Sequence, residues 1–546
     1  MADSDSSDDR GADDLGHSEH PDRYLKGYRL AVAILGLGIA VFLPTAEASI
    51  VSTSLVTISK DLAGYGQSSW IVTSYLLTYT GFIVIWSKLS DVVGLRPSLL
   101  VSAVLFAGFS AGCGSARSIT QLIIFRAFQG MGGAGFYTLP TISMFQLVPA
   151  SRYSQVNTIS SSFMATALLL GPIIGGAISE AGNWRWIFFL ILPASAVSMV
   201  LVFSVLPSRF PHHCDDIVES KTSRTLRPLY LIKKVDALGA FLLLSASILL
   251  VTALEEGGST FPWRSAAIIV FFVLSGSLWI GFFLWESFAS REESEVDPTF
   301  PRNFFSNRIF LGVLFGCFLS GVPLIVAVIE LPQRYQIVNA ASPVEAGTQL
   351  LAYAATLPLG IVTSNTATGR LRVPFIYPLL VGATLQTLGF ALLSTLPSTL
   401  QSPPAQYGYS VLSGIGMGVS VGAFYVISPI AVEKKYQHLA VGAVLQARLL
   451  GSAVGIAIVS SILTDYVKNH LDSVLPDSRP EDLLQSATNL SRYPPDVQAK
   501  FRDVYGTAFN LQMKATVAFC AAQFLTVILI WTKRPLRLAV DGTLAQ

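Results

Sequence analysis

The sequence predicts an all-α integral membrane protein, and three observations carry that expectation. Hydrophobic residues make up 52% of the 546 residues and charged residues only 13%, with a mean hydropathy of +0.56; soluble domains carry about 25% charged residues. Apolar runs of crossing length recur along the chain, and a membrane-spanning helix takes about 20 residues. Positive charge gathers in alternate connecting segments, as it does when one set of loops stays in the cytosol.

Composition also excludes several classes. A net charge of +2 points to no nucleic acid or other strongly charged partner. Cys113, Cys214, Cys317 and Cys520 are far apart and show no metal-ligand spacing. Three of them lie in apolar runs, where a thiol serves as a small packing residue. The histidines form no cluster beyond His212 and His213. No metal and no other cofactor is expected. A membrane enzyme is disfavoured, because the chain lacks a metal cluster and a nucleophile–base pair.

In chain order, residues 1–26 are polar and Asp/Ser-rich, too poor in apolar groups to fold. They lack a signal peptide's basic start and apolar core, so this tail is expected in the cytosol. Fourteen apolar runs follow, near 27–52, 68–87, 97–115, 120–143, 156–179, 186–206, 236–254, 265–287, 309–330, 346–367, 375–396, 408–430, 439–465 and 511–532. Six form an N-terminal bundle over 27–206, and two extra central helices span 236–287. Six more form a C-terminal bundle over 309–532, with a long extracytoplasmic loop at 466–510. Cytosolic loops are read at 207–235 and 288–308, and an even count returns the tail 533–546 to the cytosol. Lys88, Arg96, Arg152, Arg209, Lys221, Arg224, Lys233, Lys234, Arg370, Arg372, Lys434 and Lys435 lie on the inner side of this scheme. The short outer segments hold little more than Lys60, Arg117, Arg185, Arg264 and Arg334.

The fifth run contains LLLGPIIGGAIS, Leu168 to Ser179. Gly171 and Gly175 lie one turn apart and leave a groove for close helix approach, and Gly176 extends it. Pro172 removes one backbone hydrogen bond. Such a stretch suits either plain packing or a hinge between moving bundles. Gly130, Gly132 and Gly135 spell a dinucleotide-like pattern, but inside an apolar run they read as packing glycines. Gly414, Gly418 and Gly422 repeat every fourth residue as a second packing stripe. No phosphate-binding loop of the G-x-x-x-x-G-K-[ST] type occurs, so an ion or solute gradient is the expected energy source.

Several motifs together resemble those of the major facilitator superfamily. SKLSDVVGLRP, Ser87 to Pro97, is similar to its cytosolic loop motif G-x-L-s-D-x-x-G-R-K. LIIFRAFQGMGGAG, Leu122 to Gly135, resembles its fourth-helix R-x-x-q-G pattern. The stretch around Pro172 resembles the signature of its antiporters, and AEASIVSTSLVTI, Ala46 to Ile58, resembles the first helix of its fourteen-helix drug:proton antiporters. Two extra central helices, and ELPQRYQIVNAASPVEAG from Glu330 to Gly347, are similar to the same branch. There are departures: Ser87 and Leu95 replace a Gly and an Arg of the loop motif, Glu47 stands for Asp, and Ala167 for Gly. The resemblance implies a major facilitator fold of two six-helix bundles, gating by Asp91 and Arg96, and alternating access. Fungal pumps that export toxins and other secondary metabolites are the most similar in pattern.

Few charges fall within the spans, and a charged side chain at mid-bilayer costs about 2.5–3.5 kcal/mol. Glu47, Arg126 and Arg448 are therefore functional candidates. A buried carboxylate's proton affinity depends on the charges beside it, so Glu47 is the candidate proton carrier. Arg126 cannot deprotonate and is a fixed counter-charge. Counted from their helix ends the two sit at matching depth, which permits a pair if the faces converge. A cationic substrate and a proton would then compete for one carboxylate. Gln129 and Arg448 are candidate cavity residues; Arg448 either snorkels or pairs with an acid. Tyr75, Tyr79, Phe136, Tyr137, Phe424 and Tyr425 are candidate lining aromatics.

The expected function is proton-coupled export of a small apolar or amphipathic organic compound, by a monomer in the cell membrane. The partners are that substrate, protons and the lipid bilayer. The alternative is uptake or vacuolar transport by the same fold, of a siderophore or a basic amino acid. A non-transporting membrane sensor would need a signalling domain that neither end supplies.

Asn489-Leu490-Ser491 is the single N-x-[ST] site, and it falls in the expected outer loop. In a eukaryotic secretory pathway, glycosidase should shift the mobility of the wild type and leave Asn489→Gln unmoved. A tag after Gln546 should be readable only in permeabilised cells; a signal from intact cells would refute the orientation.

Overall fold

The computed structural model describes residues 25–538 and 544–545, apart from 26, 63–67, 150–151, 181, 207–235, 259–260, 292–297, 299, 472–493 and 534–535. His212, His213, Cys214, Asn489 and most of the first 26 residues lie outside that set, as do the side chains of Asp91 and Pro172.

The chain runs α1 (Tyr28–Asp61), α2 (Ser68–Val93), α3 (Leu95–Ser115), α4 (Ile119–Gln146), α5 (Tyr153–Glu180), α6 (Trp186–Phe189) and α7 (Ile191–Val205). Next come α8 (Ala237–Glu256), α9 (Ala266–Ala289) and a short connector, α10 (Arg302–Ser306). The second half is α11 (Arg308–Ile337), α12 (Pro343–Ala354), α13 (Thr356–Asn365) ending in a π-helical turn (Thr366–Arg370), α14 (Ile376–Leu393), α15 (Ala405–Ile430), α16 (Gln437–Leu471) and α17 (Pro495–Ile530). Two-residue strands, Arg537–Leu538 and Leu544–Ala545, pair antiparallel after the last helix.

Counting α6 with α7, and α12 with α13 and its π turn, fourteen helical segments stand where the apolar runs were read. Among the described residues, twelve helices are long and apolar enough to cross a membrane. α8 has a shorter apolar stretch, Leu238–Leu254. α4 is 28 residues long but diluted by glycines, Gln129 and Arg126, all of which it turns into the protein interior.

Three boundaries differ from the sequence reading. α1 continues to Asp61, so counting from its end does not measure the depth of Glu47. The Trp184 indole and the Arg185 guanidinium donate to the Asp61 carboxylate at 2.9 and 3.0 Å and hold that carboxyl below its usual proton affinity. The segment 466–510 is helical at both ends, in α16 and α17. Those extensions bury a separate apolar cluster of Ile337, Val338, Leu463, Val467, Phe501, Tyr505 and Ala508, and Pro495 starts α17 where a missing N–H costs nothing. Finally, α11 runs to Ile337, so Arg334 is a fully buried helix residue rather than an outer-loop charge.

α1–α7 pack as one bundle and α11–α17 as another. Lipid offers no hydrogen bonds, so helices associate by close packing, and small residues permit it. A Cβ on Gly132 would strike the backbone of Phe106, which places α4 directly on α3. The same holds for Gly418 against the backbone of Leu357 and Gly360, where α15 meets α13. Both glycine patterns singled out in the sequence are therefore packing stripes. α8 and α9 form a hairpin, joined by a 2.8 Å bond from Ser275 Oγ to the Ala246 carbonyl. Leu244 of α8 seats on Gly81 of α2, and Trp263 donates to Ser461 Oγ of α16 at 3.2 Å. The hairpin thus touches one helix from each bundle.

Gly418→Ala should destabilise the protein by about 1–3 kcal/mol, the usual cost of overpacking. Gly408→Ala, on the same helix with nothing within 4 Å of its Cβ, is the control. Thermal unfolding in detergent should show a clear drop for the first and none for the second.

Candidate substrate and proton site

The site begins on α1, α2 and α4. Glu47, Arg126 and Gln129 are each fully buried. Arg126 and Gln129 are three residues apart, so they share one face of α4. Arg126 forms an ion pair with Glu47 through Nη1. The same nitrogen donates to Gln129 Oε1 at 2.9 Å, and Nε donates to the Ile71 carbonyl at 2.9 Å. The guanidinium lies over the Tyr75 ring, 4.1 Å from its centroid. Gln129 is fixed in turn by Ser110 Oγ, 3.1 Å from its amide nitrogen. Arg126 is thus held by neutral partners as well as by its acid. Glu47 Oε2 and Arg126 Nη2 are buried with no hydrogen-bond partner. The convergence of faces that the sequence left open is realised in this geometry. The chain's own Arg126 guanidinium is paired with the Glu47 carboxylate, so a proton arriving there competes with it.

A row of aromatic rings leads from this pair to the other bundle. Tyr75 stacks on Tyr79 at 5.4 Å between centroids, and Tyr79 lies 6.0 Å from Tyr137. Arg448 of α16 reaches across the seam. Its Nη2 donates to Tyr137 Oη at 3.0 Å, and its guanidinium sits 5.5 Å from the Tyr425 ring centroid. Arg448 does not snorkel, being 3% exposed, and among the described residues no carboxylate lies within ion-pair distance of it. Its backbone is fixed because α16 packs on Gly321 of α11, where Ser452 Oγ donates to the Gly321 carbonyl at 3.0 Å.

Two proposed lining aromatics belong elsewhere. Phe136 packs on Phe106 of α3 at 5.6 Å, inside the first bundle. Phe424 lies against Gly316 of α11, inside the second. Each fills its own bundle's core, because the side of the helix that carries it turns away from the seam. The Gly-Pro stretch sits beside the ion pair: a Cβ on Gly171 would be 2.7 Å from Ser49 Cβ on α1. Ser54 Oγ donates to the Gly175 carbonyl at 3.3 Å, while Gly176 has only Val344 Cγ2 of α12 near it, at 3.9 Å. Arg96 rests on α7, with Nη2 3.4 Å from the Phe203 carbonyl and the guanidinium over the Phe203 ring.

Sequence reading missed several residues here. Asn157 donates to Asn365 Oδ1 at 3.4 Å and to the Gly422 carbonyl at 3.3 Å, and Asn365 donates to Thr158 Oγ1 at 2.8 Å. These bonds join the bundles near the start of α5 and the end of α13, the end of the molecule where α2 meets α3. An uncharged residue near the end of an apolar run gives little signal. Met164 on α5 was missed because a thioether looks like any packing residue.

A family profile described as Major Facilitator Superfamily matches residues 37–256. The MFS-type transporter FPY5 of Fusarium mangiferae is 38% identical over 512 residues, which is 94% of this chain and 85% of that protein. The chain belongs to the major facilitator superfamily. The Efflux pump FUS6 of Gibberella fujikuroi is 28% identical, covering 94% of this chain and 90% of that protein. The Acurin A biosynthesis cluster MFS-type transporter of Aspergillus aculeatus is 28% identical, covering 92% and 90%. Among solved structures, a double-tryptophan mutant of XylE superimposes with a TM-score of 0.57 at 14% identity, covering 94% of this chain and 98% of that one. That likeness shares the fold. The protein is therefore a multi-pass membrane transporter of this superfamily, a fold that binds small molecules within the membrane.

Removing one member of a buried ion pair strands the other charge, at a cost of about 3–5 kcal/mol. Glu47→Gln and Arg126→Gln should each lower thermal stability by that order. The double variant should recover part of the loss, and additive losses would contradict a direct pair.

Proposed function

We propose that this transporter exports a small apolar or amphipathic organic compound in exchange for protons. The observation that carries the reading is the buried pair of Glu47 and Arg126, with one carboxylate oxygen left unpartnered. A proton on Glu47 Oε2 neutralises the acid and releases its attraction for Arg126. Arg126 stays in place on Ile71 and Gln129, ready to take the carboxylate back when the proton leaves. An ionisable group inside a membrane protein that is neither idle nor permanently locked is suited to a proton relay.

Alternating access requires the bundles to part at one end while they close at the other. The Asn157, Asn365 and Gly422 bonds supply one closed end, which the loop charges assign to the cytosol. In this reading Gly171, Pro172, Gly175 and Gly176 form the hinge surface of α5, and Asp91 and Arg96 serve the cytosolic gate. Two of the relatives, an efflux pump and a biosynthesis-cluster transporter, favour export of a secondary metabolite over uptake.

Comparing metabolites inside cells and in the medium, with and without the protein, should identify the compound whose retention rises on its loss. Purified protein in proteoliposomes with an internal pH dye should then show proton movement when that compound is added. Glu47→Gln keeps size and hydrogen bonding but not the charge change, so the signal should fall at least tenfold. Undiminished proton movement in Glu47→Gln would remove Glu47 from the coupling site.

A further inference from the structure

We infer that the cargo carries a planar oxyanion, such as a carboxylate or an acidic enolate, and that Arg448 with Tyr137 receives it where the two bundles meet. The inference rests on the transporter reading for the existence of a cargo, and it narrows the chemical class of that cargo.

The two buried guanidinium groups near the seam differ in one respect. Arg126 has Glu47 as its counter-charge. Among the described residues Arg448 has none: the titratable groups that face it are Tyr425, Tyr137, Tyr79 and Cys317. A buried cation without an acid is expensive to keep, and arginine holds its charge in any protein setting. The missing negative charge is therefore expected to arrive with something that visits the site.

The hydrogen bonds around Arg448 also end on a weak acceptor. Nη1 and Nη2 of Arg448 each lie 3.8 Å from Met164 Sδ, and Tyr137 Oη lies 3.7 Å from the same sulfur. Three strong donors thus converge on one thioether, which accepts hydrogen bonds poorly. Arg448 Nε is buried with no hydrogen-bond partner. The surrounding walls are the rings of Tyr79, Tyr137 and Tyr425, which suit an apolar body attached to the acid. A carboxylate in place of the thioether contact would accept from the guanidinium fork in a bidentate manner and from a phenol beside it.

Placement gives the anion a further role. Tyr137 and Met164 belong to the first bundle, and Arg448 and Tyr425 to the second. An oxyanion bound by both would draw the bundles together around itself, so the loaded, closed state would be favoured over the empty one. A neutral cargo of the same shape would lack that effect.

The probes are radiolabelled biphenyl-4-carboxylate and its neutral counterpart, biphenyl-4-carboxamide. Their binding to the full-length protein in nanodiscs of zwitterionic lipid is measured by equilibrium dialysis. The wild type should bind the acid at least tenfold more tightly than the amide. Arg448→Gln should bring the acid down to the amide's affinity and leave the amide unchanged. Equal binding of the two probes, no saturable binding of the acid, or an acid preference that survives Arg448→Gln would each overturn the inference. A second pair of variants needs no ligand. Met164→Glu places a carboxylate at the point where the donors converge, so it should melt above Met164→Gln and no longer bind the acid probe. A lower melting temperature for Met164→Glu than for Met164→Gln would show that Arg448 has no unmet need for an anion. Equal binding of acid and amide would leave the proton-exchange reading intact; absence of proton movement in reconstituted wild type would refute that reading and leave the acid preference standing.

Discussion

The hydrocarbon interior of a bilayer supplies no hydrogen-bond partners and little relief for charge. Every backbone group in a span must be satisfied along its own helix, which leaves side-chain shape to decide how helices meet. In this protein close approaches fall on glycine: Gly132 on the α3 backbone, Gly171 on Ser49 of α1, Gly418 on the α13 backbone. The same solvent penalises an unmatched charge, so Glu47 and Arg126 neutralise each other and borrow further bonds from Ile71 and Gln129. Packing and charge neutralisation answer one constraint, the absence of water.

That constraint is also why the fold was legible in the sequence. Apolar runs placed the fourteen helical segments, because a span has to be continuous and apolar wherever lipid touches it. The ends of helices were less legible. α1, α16 and α17 extend beyond the apolar stretch into polar sequence, where tertiary packing rather than hydropathy holds them. Arg334 was misplaced for the same reason: a charge near the end of an apolar run looks like the start of a loop, yet α11 carries it inward to the Pro397 carbonyl and the Phe509 ring.

The site was half legible. Buried charges stand out against an apolar background, so Glu47, Arg126 and Arg448 were visible as single residues. Their partners were not, since partnership depends on which faces of different helices converge. Phe136 and Phe424 show the limit from the other side. Each adjoins a residue of the tyrosine row, Tyr137 and Tyr425, but neighbours along a helix point about 100° apart, so one faces the seam and the other its own core. The thioether of Met164 and the amides of Asn157 and Asn365 joined the account only through three-dimensional contact.

The α8–α9 hairpin touches α2 through Gly81 and α16 through Ser461, and so covers one of the two long seams between the bundles. Among the described residues the other seam, α5 beside α12 and α13, has no such cover. Along it Leu170, Ile173 and Val344 are 36%, 37% and 43% exposed. The protein therefore presents two unlike flanks to the acyl chains. An amphipathic molecule dissolved in one leaflet meets a barrier on the hairpin side and a bare junction of small and apolar side chains on the other. Approach from the membrane phase would therefore be unequal around the protein's circumference.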